Sequence, residues 1–197
     1  MSTDPAWSDE DDEPVVPASG HVPTTGRGSL PFASVHGEPL VVVASWALEE
    51  AGVDLVDFTA SWQEVQASGR PLVVHDPLCP LTPVGFLREA IATAVRHDEV
   101  VVAVRPVTDT VKTLRPGAVL GSTVDREQLW TVTSPVVLPA SVVAALEDWP
   151  DVEDPAALVT TLRDRFGVRF LEAPAAGARV QDESAIALLE ALEAPQP

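Results

Sequence analysis

Basic residues and cysteine are both scarce in this sequence. It contains 12 lysines and arginines against 30 acidic residues, which gives a formal net charge of −18. An acidic surface repels nucleic acids and anionic membranes, so the composition argues against both as partners. The single cysteine, Cys79, cannot form an internal disulfide, which favours a reducing compartment. With no apolar run of about 18 residues and no leader-like pattern, we expect a cytoplasmic protein without a membrane span.

The sequence also lacks the spacing motifs of several enzyme classes. Its four histidines, His21, His36, His75 and His97, are scattered and do not have the spacing of a zinc site. Neither the GxSxG elbow of hydrolases nor the GxxxxGK[ST] loop of nucleotide-binding ATPases is present. These absences argue against zinc enzymes, serine hydrolases and Walker-type ATPases.

The length of 197 residues suits one domain with a sizeable core. Residues 1–13 hold six of the acidic residues and no basic one, so we expect a disordered tail there. The single domain is expected over residues 14–193. Within it the periodicity predicts alternating strands and helices, with strands at 14–18, 53–58, 72–74, 99–104, 129–133 and 168–172 and helices at 39–51, 59–68, 82–97, 140–149, 155–166 and 183–192.

Asp76 stands at the end of a short apolar run. Leu72, Val73 and Val74 predict a buried parallel strand that stops at His75-Asp76-Pro77. Ligands of open α/β sheets bind at the carboxyl ends of the strands. Asp76 is therefore a candidate functional residue, although it is also suited to capping the turn before Pro77.

Three motifs carry a family resemblance. The runs VHDPLCPLTP, PVTDTVK and TVDREQLW occur in that order, and they resemble the VHDAARP, PVxDTxK and TVDRxxLW motifs of the 2-C-methyl-D-erythritol 4-phosphate cytidylyltransferases. Together with the alternating elements, the resemblance implies an α/β fold: a three-layer, Rossmann-like nucleotidyltransferase domain with a mostly parallel sheet. It also implies a protruding β-hairpin arm at about 112–125, where Pro116-Gly117 is a turn signal.

The resemblance assigns roles to residues of this chain. It implies that Asp76 holds Mg²⁺, and that Thr110 and Arg126 reach the acceptor phosphate of a partner subunit. Ser134 and Arg179 would hold the acceptor as well. The hairpin arm would make the chain a homodimer, or a heterodimer with another family member.

A glycine-rich stretch, SGHVPTTGRGSLP, follows the first predicted strand. In the family such a loop wraps the triphosphate of CTP, which would give Gly20 and Arg27 a substrate-binding role. Arg27 is the only cation in the stretch, and an ordinary surface loop with turn residues is the alternative.

The chain departs from the family pattern at several points. Cys79 stands where the family has an arginine, Thr24 stands where its loop has another, and the base-reading segment GGxxRxxSVxxGL has no equivalent. Trp46 and Trp62 are suited either to stacking a base or to the core. Two hypotheses follow: a cytidylyltransferase that transfers CMP from CTP to the phosphorylated polyol with weakened activity, or a non-catalytic homologue acting as a binding or dimerisation partner.

Overall fold

The computed structural model describes residues 15–56, 59–107, 112–115, 119–123 and 129–193. At 112–115, 119–123 and 192–193 it describes the backbone alone. The expected disordered tail at 1–13 and the site candidates Thr110 and Arg126 lie outside these ranges.

Strands and helices alternate along the described chain. The strands are β1 (Ala18–His21), β2 (Ser34–Val35), β3 (Glu38–Pro39), β4 (Val53–Leu55), β5 (Leu72–Val74), β6 (Val100–Pro106), β7 (Lys112–Arg115), β8 (Val119–Thr123), β9 (Trp130–Leu138) and β10 (Val168–Glu172). The helices are α1 (Leu40–Glu50), α2 (Trp62–Ala67), α3 (Val84–His97), α4 (Ala140–Ala145), α5 (Pro155–Arg163) and α6 (Glu183–Glu193).

The central sheet has six strands in the order β10-β6-β9-β5-β1-β4. Strand β9 runs antiparallel to both of its neighbours, and the other pairings are parallel. Parallel neighbours need long crossover connections, and α1 lies in the connection between β1 and β4. The sheet is therefore mostly parallel, as predicted.

The two largest apolar clusters of the core take up side chains from opposite faces of the sheet. Leu72 and Val74 belong to the cluster that includes residues of α2, α4 and α5, whereas Val73 belongs to the cluster with α1 and α3. Side chains alternate between the two faces of a strand, so a continuous apolar run such as β5 requires helices on both sides. The α/β three-layer prediction is confirmed.

Several element boundaries differ from the predictions. The first strand covers Ala18–His21 rather than 14–18, because two prolines in PVVPA cannot donate to a ladder. Helix α2 begins after Ser61, whose hydroxyl and the Glu64 side chain form a reciprocal capping box, and not after Thr59. On α3, Phe86 is fully buried, whereas Val95 is 46% exposed.

The described helices are too short or too polar to cross a membrane. Strands β7 and β8 pair with each other in a two-stranded antiparallel sheet of their own. The predicted hairpin strands are thus present, whereas residues 116–118 of its turn lie outside the described ranges.

Candidate functional site

Asp76 lies two residues beyond the end of β5, next to His75, whose amide donates to the carbonyl oxygen of His21 over 2.9 Å. Asp76 is only 4% exposed. Oδ1 of Asp76 accepts a hydrogen bond from the amide of Leu78 at 3.0 Å, so the carboxylate caps the following turn. The turn-capping alternative is therefore realised, but it is one of several contacts that this carboxylate makes.

Arg27 forms a buried ion pair with Asp76. Its Nε donates to Oδ1 of Asp76 at 2.8 Å, and the Arg27 side chain is 1% exposed. Its terminal nitrogens donate to the carbonyl oxygens of Thr25 at 2.7 Å and Val152 at 3.0 Å. Arg27 thereby holds the loop after β1 against both the end of β5 and the segment that precedes α5.

Arg179 approaches the other carboxylate oxygen. Its Nε donates to Oδ2 of Asp76 at 3.0 Å, and its side chain is 30% exposed. Among the described residues, the terminal nitrogens of Arg179 have no hydrogen-bond partner. One guanidinium is therefore fixed in the interior, and the other presents free donors near the surface.

The pKa of Asp76 follows from these contacts. Burial alone would raise the pKa of this carboxyl group. The hydrogen bonds from Arg27 and the Leu78 amide, with the charges of Arg27 and Arg179, outweigh burial and hold the pKa below its usual value. Asp76 is therefore ionised at neutral pH.

Ser134, on β9, connects Asp76 with a buried histidine. Its hydroxyl oxygen accepts a hydrogen bond from the Asp76 amide at 2.8 Å and lies 2.6 Å from Nδ1 of His75. The other ring nitrogen of His75, Nε2, and the buried hydroxyl of Thr133 have no partner among the described residues. Burial lowers the pKa of His75 to about 4, against the opposing effect of the Asp76 charge, so the imidazole is neutral at pH 7.

A small pocket lies beside these residues. It holds about 230 Å³ of open space, part of it continuous with solvent. Its polar lining comes from Arg27, Asp76, Thr133 and Ser134, and apolar side chains from β5, β9 and α5 complete it. Only about 10 Å³ of that space is free for the centre of a water molecule, so the pocket has room for about one water rather than for a substrate.

Mg²⁺, which the resemblance implies at Asp76, does not fit the residues found there. Both carboxylate oxygens already accept from guanidinium groups, and a divalent cation would lie beside two positive charges. Mg²⁺ also prefers oxygen ligands, and the described residues contain no group of three or more acidic, histidine or cysteine side chains that could hold a metal ion. The metal-binding prediction for Asp76 therefore lacks support from this geometry.

The structure brings together four of the predicted site residues: Asp76, Arg27, Arg179 and Ser134. Gly20 is not among them, since it lies within β1 rather than in the glycine-rich loop. A Cβ atom on Gly20 would come within 2.6 Å of Cγ1 of Val53, so its close approach is to a neighbouring strand.

Trp46, Trp62 and Cys79 lie in different environments. Trp62 is 3% exposed, donates from Nε1 to the carbonyl of Leu146 and packs against Trp149. Trp46 is 51% exposed. Cys79 is fully buried, and burial together with the Asp76 charge raises the pKa of its thiol well above the usual range. Trp62 is thus a core residue, and Cys79 is not placed to replace a phosphate-binding cation.

Two polar groups of the site were missed by the sequence reasoning, His75 and Thr133. His75 directly precedes Asp76 in the VHD motif, and this adjacency was the available signal. The sequence carries no comparable signal for Thr133, because its position depends on the register of β9 against β6.

The central sheet, with helices on both faces, defines a three-layer α/β domain that has a polar cluster at the carboxyl end of β5. A family model described as 2-C-methyl-D-erythritol 4-phosphate cytidylyltransferase matches residues 58–162, just over half of the chain. The chain belongs to this family.

One relative and two solved structures are similar to this chain. A 2-C-methyl-D-erythritol 4-phosphate cytidylyltransferase from Symbiobacterium thermophilum is 37% identical over 114 residues, a match covering 55% of this chain and 46% of the relative. The match thus spans about half the length of that relative. The solved structure of a protein of the same name from Thermus thermophilus has a TM-score of 0.61 at 20% identity, covering 89% of this chain and 96% of that one. A 4-diphosphocytidyl-2C-methyl-D-erythritol synthase from Anaerococcus prevotii has a TM-score of 0.58 at 13% identity, covering 90% and 94%.

Proposed function

We propose that the chain transfers CMP from CTP to 2-C-methyl-D-erythritol 4-phosphate and releases pyrophosphate, at a rate weakened by its departures from the family. The observation that carries the proposal is the convergence of Arg27, Arg179 and Asp76 at the carboxyl end of β5. This is the edge at which α/β proteins bind ligands. Family membership supplies the reaction.

In this reaction an oxygen of the acceptor phosphate attacks the α-phosphorus of CTP in line. The new P–O bond forms as the bond to the pyrophosphate leaving group breaks, with no covalent enzyme intermediate. The protein contributes alignment and neutralisation of charge. Arg179 has free donors for phosphate oxygens, and its planar fork suits them. Thr110 and Arg126 remain proposed acceptor contacts.

The weakening has a physical basis. Arg27, the cation of the predicted triphosphate loop, is engaged by Asp76 and by two backbone carbonyls. Cys79 supplies no charge. Each missing charge-assisted contact to phosphate is worth about 1.5–3 kcal/mol, which corresponds to a factor of about 10 to 150 in rate or affinity.

A second candidate is a non-catalytic homologue that binds an anion or a partner. The small pocket and the full occupancy of the Asp76 oxygens favour it. Such a protein would retain the fold and the hairpin without turning over CTP.

Pyrophosphate release in the presence of CTP, supplied as its Mg²⁺ salt, and the acceptor tests the two candidates. We expect slow release that requires both substrates and falls at least about tenfold in Arg179→Gln. Arg169→Gln is the matched control, because Arg169 is ion-paired with Glu99 on the exposed edge strand β10. Absence of release by the folded chain would overturn the transfer proposal and leave the binding candidate.

A further inference from the structure

The contacts of Asp76 point to a role other than metal binding. We propose that Asp76 is a positioning residue that holds Arg179 in place as a metal-independent binding site for a phosphate group. The inference rests on the phosphate contact that the proposed function gives to Arg179, and it adds how that arginine is held and that no metal is needed.

Charge balance around Asp76 is the first argument. Arg27 and Arg179 both pair with this single carboxylate, so the cluster carries an excess of one positive charge. The neighbouring His75 is buried and neutral at pH 7, and the buried thiol of Cys79 is neutral as well. The site therefore attracts an anion and repels a divalent cation.

The difference between the two arginines is the second argument. Arg27 is locked by three hydrogen bonds and is 1% exposed, so it serves as the fixed counter-charge that keeps Asp76 ionised. Arg179 is tied to Asp76 through Nε alone. Its two terminal nitrogens remain available, and a guanidinium anchored in this way can bind phosphate oxygens with two parallel hydrogen bonds.

Pre-orientation is the third argument. A free arginine side chain loses about 2 kcal/mol of rotamer freedom when it is fixed by a ligand. The Nε contact to Asp76 fixes much of that freedom before the ligand arrives, which favours affinity. Asp76 can therefore assist anion binding although its own charge has the same sign as the ligand.

Calorimetric titration of the intact chain with inorganic phosphate tests this role, once in EDTA and once in excess Mg²⁺. CMP and a polyol phosphate are titrated in parallel, to show whether the phosphate group is preferred free, on a nucleotide or on a polyol. We expect the affinity of the preferred ligand to agree within about twofold between EDTA and Mg²⁺. Arg179→Gln should weaken it about tenfold or more, and Arg179→Lys should restore only part of it, because an ammonium lacks the planar fork.

Asp76→Asn is the direct test of positioning. We expect weaker phosphate binding even though a negative charge has been removed, whereas a residue that merely repelled the anion would bind phosphate more tightly after this change. Because Asp76→Asn leaves Arg27 unpaired in the interior and can impair folding, Arg179→Gln is the independent variant. Arg169→Gln, on the exposed edge strand, should change phosphate affinity by less than about twofold.

The inference is overturned by any of four results: no phosphate binding under either condition, binding lost in EDTA, binding unchanged in Arg179→Gln, or binding unchanged or tighter in a folded Asp76→Asn variant. Failure of the transfer proposal would give a different combination of results. Phosphate binding in EDTA without pyrophosphate release would keep this inference and reject transfer, whereas release with strictly Mg²⁺-dependent phosphate binding would keep transfer and reject this inference.

Discussion

At the scale of single residues, His75 links stability to pH. Its imidazole is fully buried, and burial lowers its pKa from 6.5 to about 4. Below pH 6.5 the unfolded chain binds a proton that the folded chain does not, so the contribution of His75 is complete above that pH and is lost as the pH falls towards 4. One pKa unit corresponds to about 1.4 kcal/mol, so we expect a loss of about 2 kcal/mol between pH 7.5 and pH 5.

Denaturant unfolding of wild type and His75→Gln at these two pH values measures this contribution. The glutamine does not titrate, so the variant should lose about 2 kcal/mol less than wild type over the interval. His97→Gln, at the exposed end of α3, is the matched control and should follow wild type. Equal losses in wild type and His75→Gln would contradict the assignment of a buried neutral histidine.

The residues of the site differ in how well the sequence alone predicts their contacts. Asp76 was predictable, because an apolar run followed by a polar residue and proline is a local pattern. Its pairing with Arg27 and Arg179 was not, since these contacts join residues 49 and 103 positions apart. Residues so far apart in the sequence are brought together by the order of the strands in the sheet, and a local sequence pattern does not encode that order.

At the scale of elements, Gly20 lies at a close contact between β1 and its neighbours β4 and α1. A Cβ atom at this position would lie 2.6 Å from Cγ1 of Val53 and 3.1 Å from Cδ1 of Leu48, both buried residues. Val53 is β-branched and has little rotamer freedom. Gly20 therefore permits close packing of β1 against β4 and α1.

Gly20→Ala should destabilise the fold by about 1–3 kcal/mol, because it overpacks a filled interior. Gly85→Ala is the matched control. Gly85 lies in the first turn of α3 with no atom within 4 Å of its Cβ position, and alanine there should be neutral or stabilising by up to about 1 kcal/mol. Denaturant unfolding measures the free energy of unfolding of both variants. If Gly20→Ala changes it no more than Gly85→Ala does, the packing around β1 can accommodate an extra methyl group and the prediction is wrong.

Helices were easier to predict than the first strand, for a physical reason. Helix α1 shows apolar spacing of three and four residues and is followed by Gly52, which adopts a φ of 86°. Strand β1 has no such signal in ASGH, whose pairing depends on partners at Pro71, Val53 and Leu72. Sheet pairing of small polar residues is decided by distant strands.

At the scale of the whole molecule, the stability of the paired strands β7 and β8 needs an explanation. The two strands form a sheet separate from the central one, with Leu114 opposite Leu120 and Arg115 opposite Val119. A two-stranded hairpin is marginally stable on its own in water. Its sequence also contains apolar residues, which would reduce solubility if they stayed uncovered.

We therefore expect the hairpin to pack against a second chain, either another copy of this protein or a complete family member. Sedimentation velocity should show a dimer for the intact chain, and a monomer after residues 114–122 are replaced by a short Gly-Ser turn, because this change removes the paired strands. The circular dichroism of the variant should keep the signal of the central sheet and helices, which serves as the control for folding. If the intact chain sediments as a monomer at concentrations well above those of the assay, and also fails to co-sediment with a complete family member, the hairpin has no role in association and must be stabilised within its own chain.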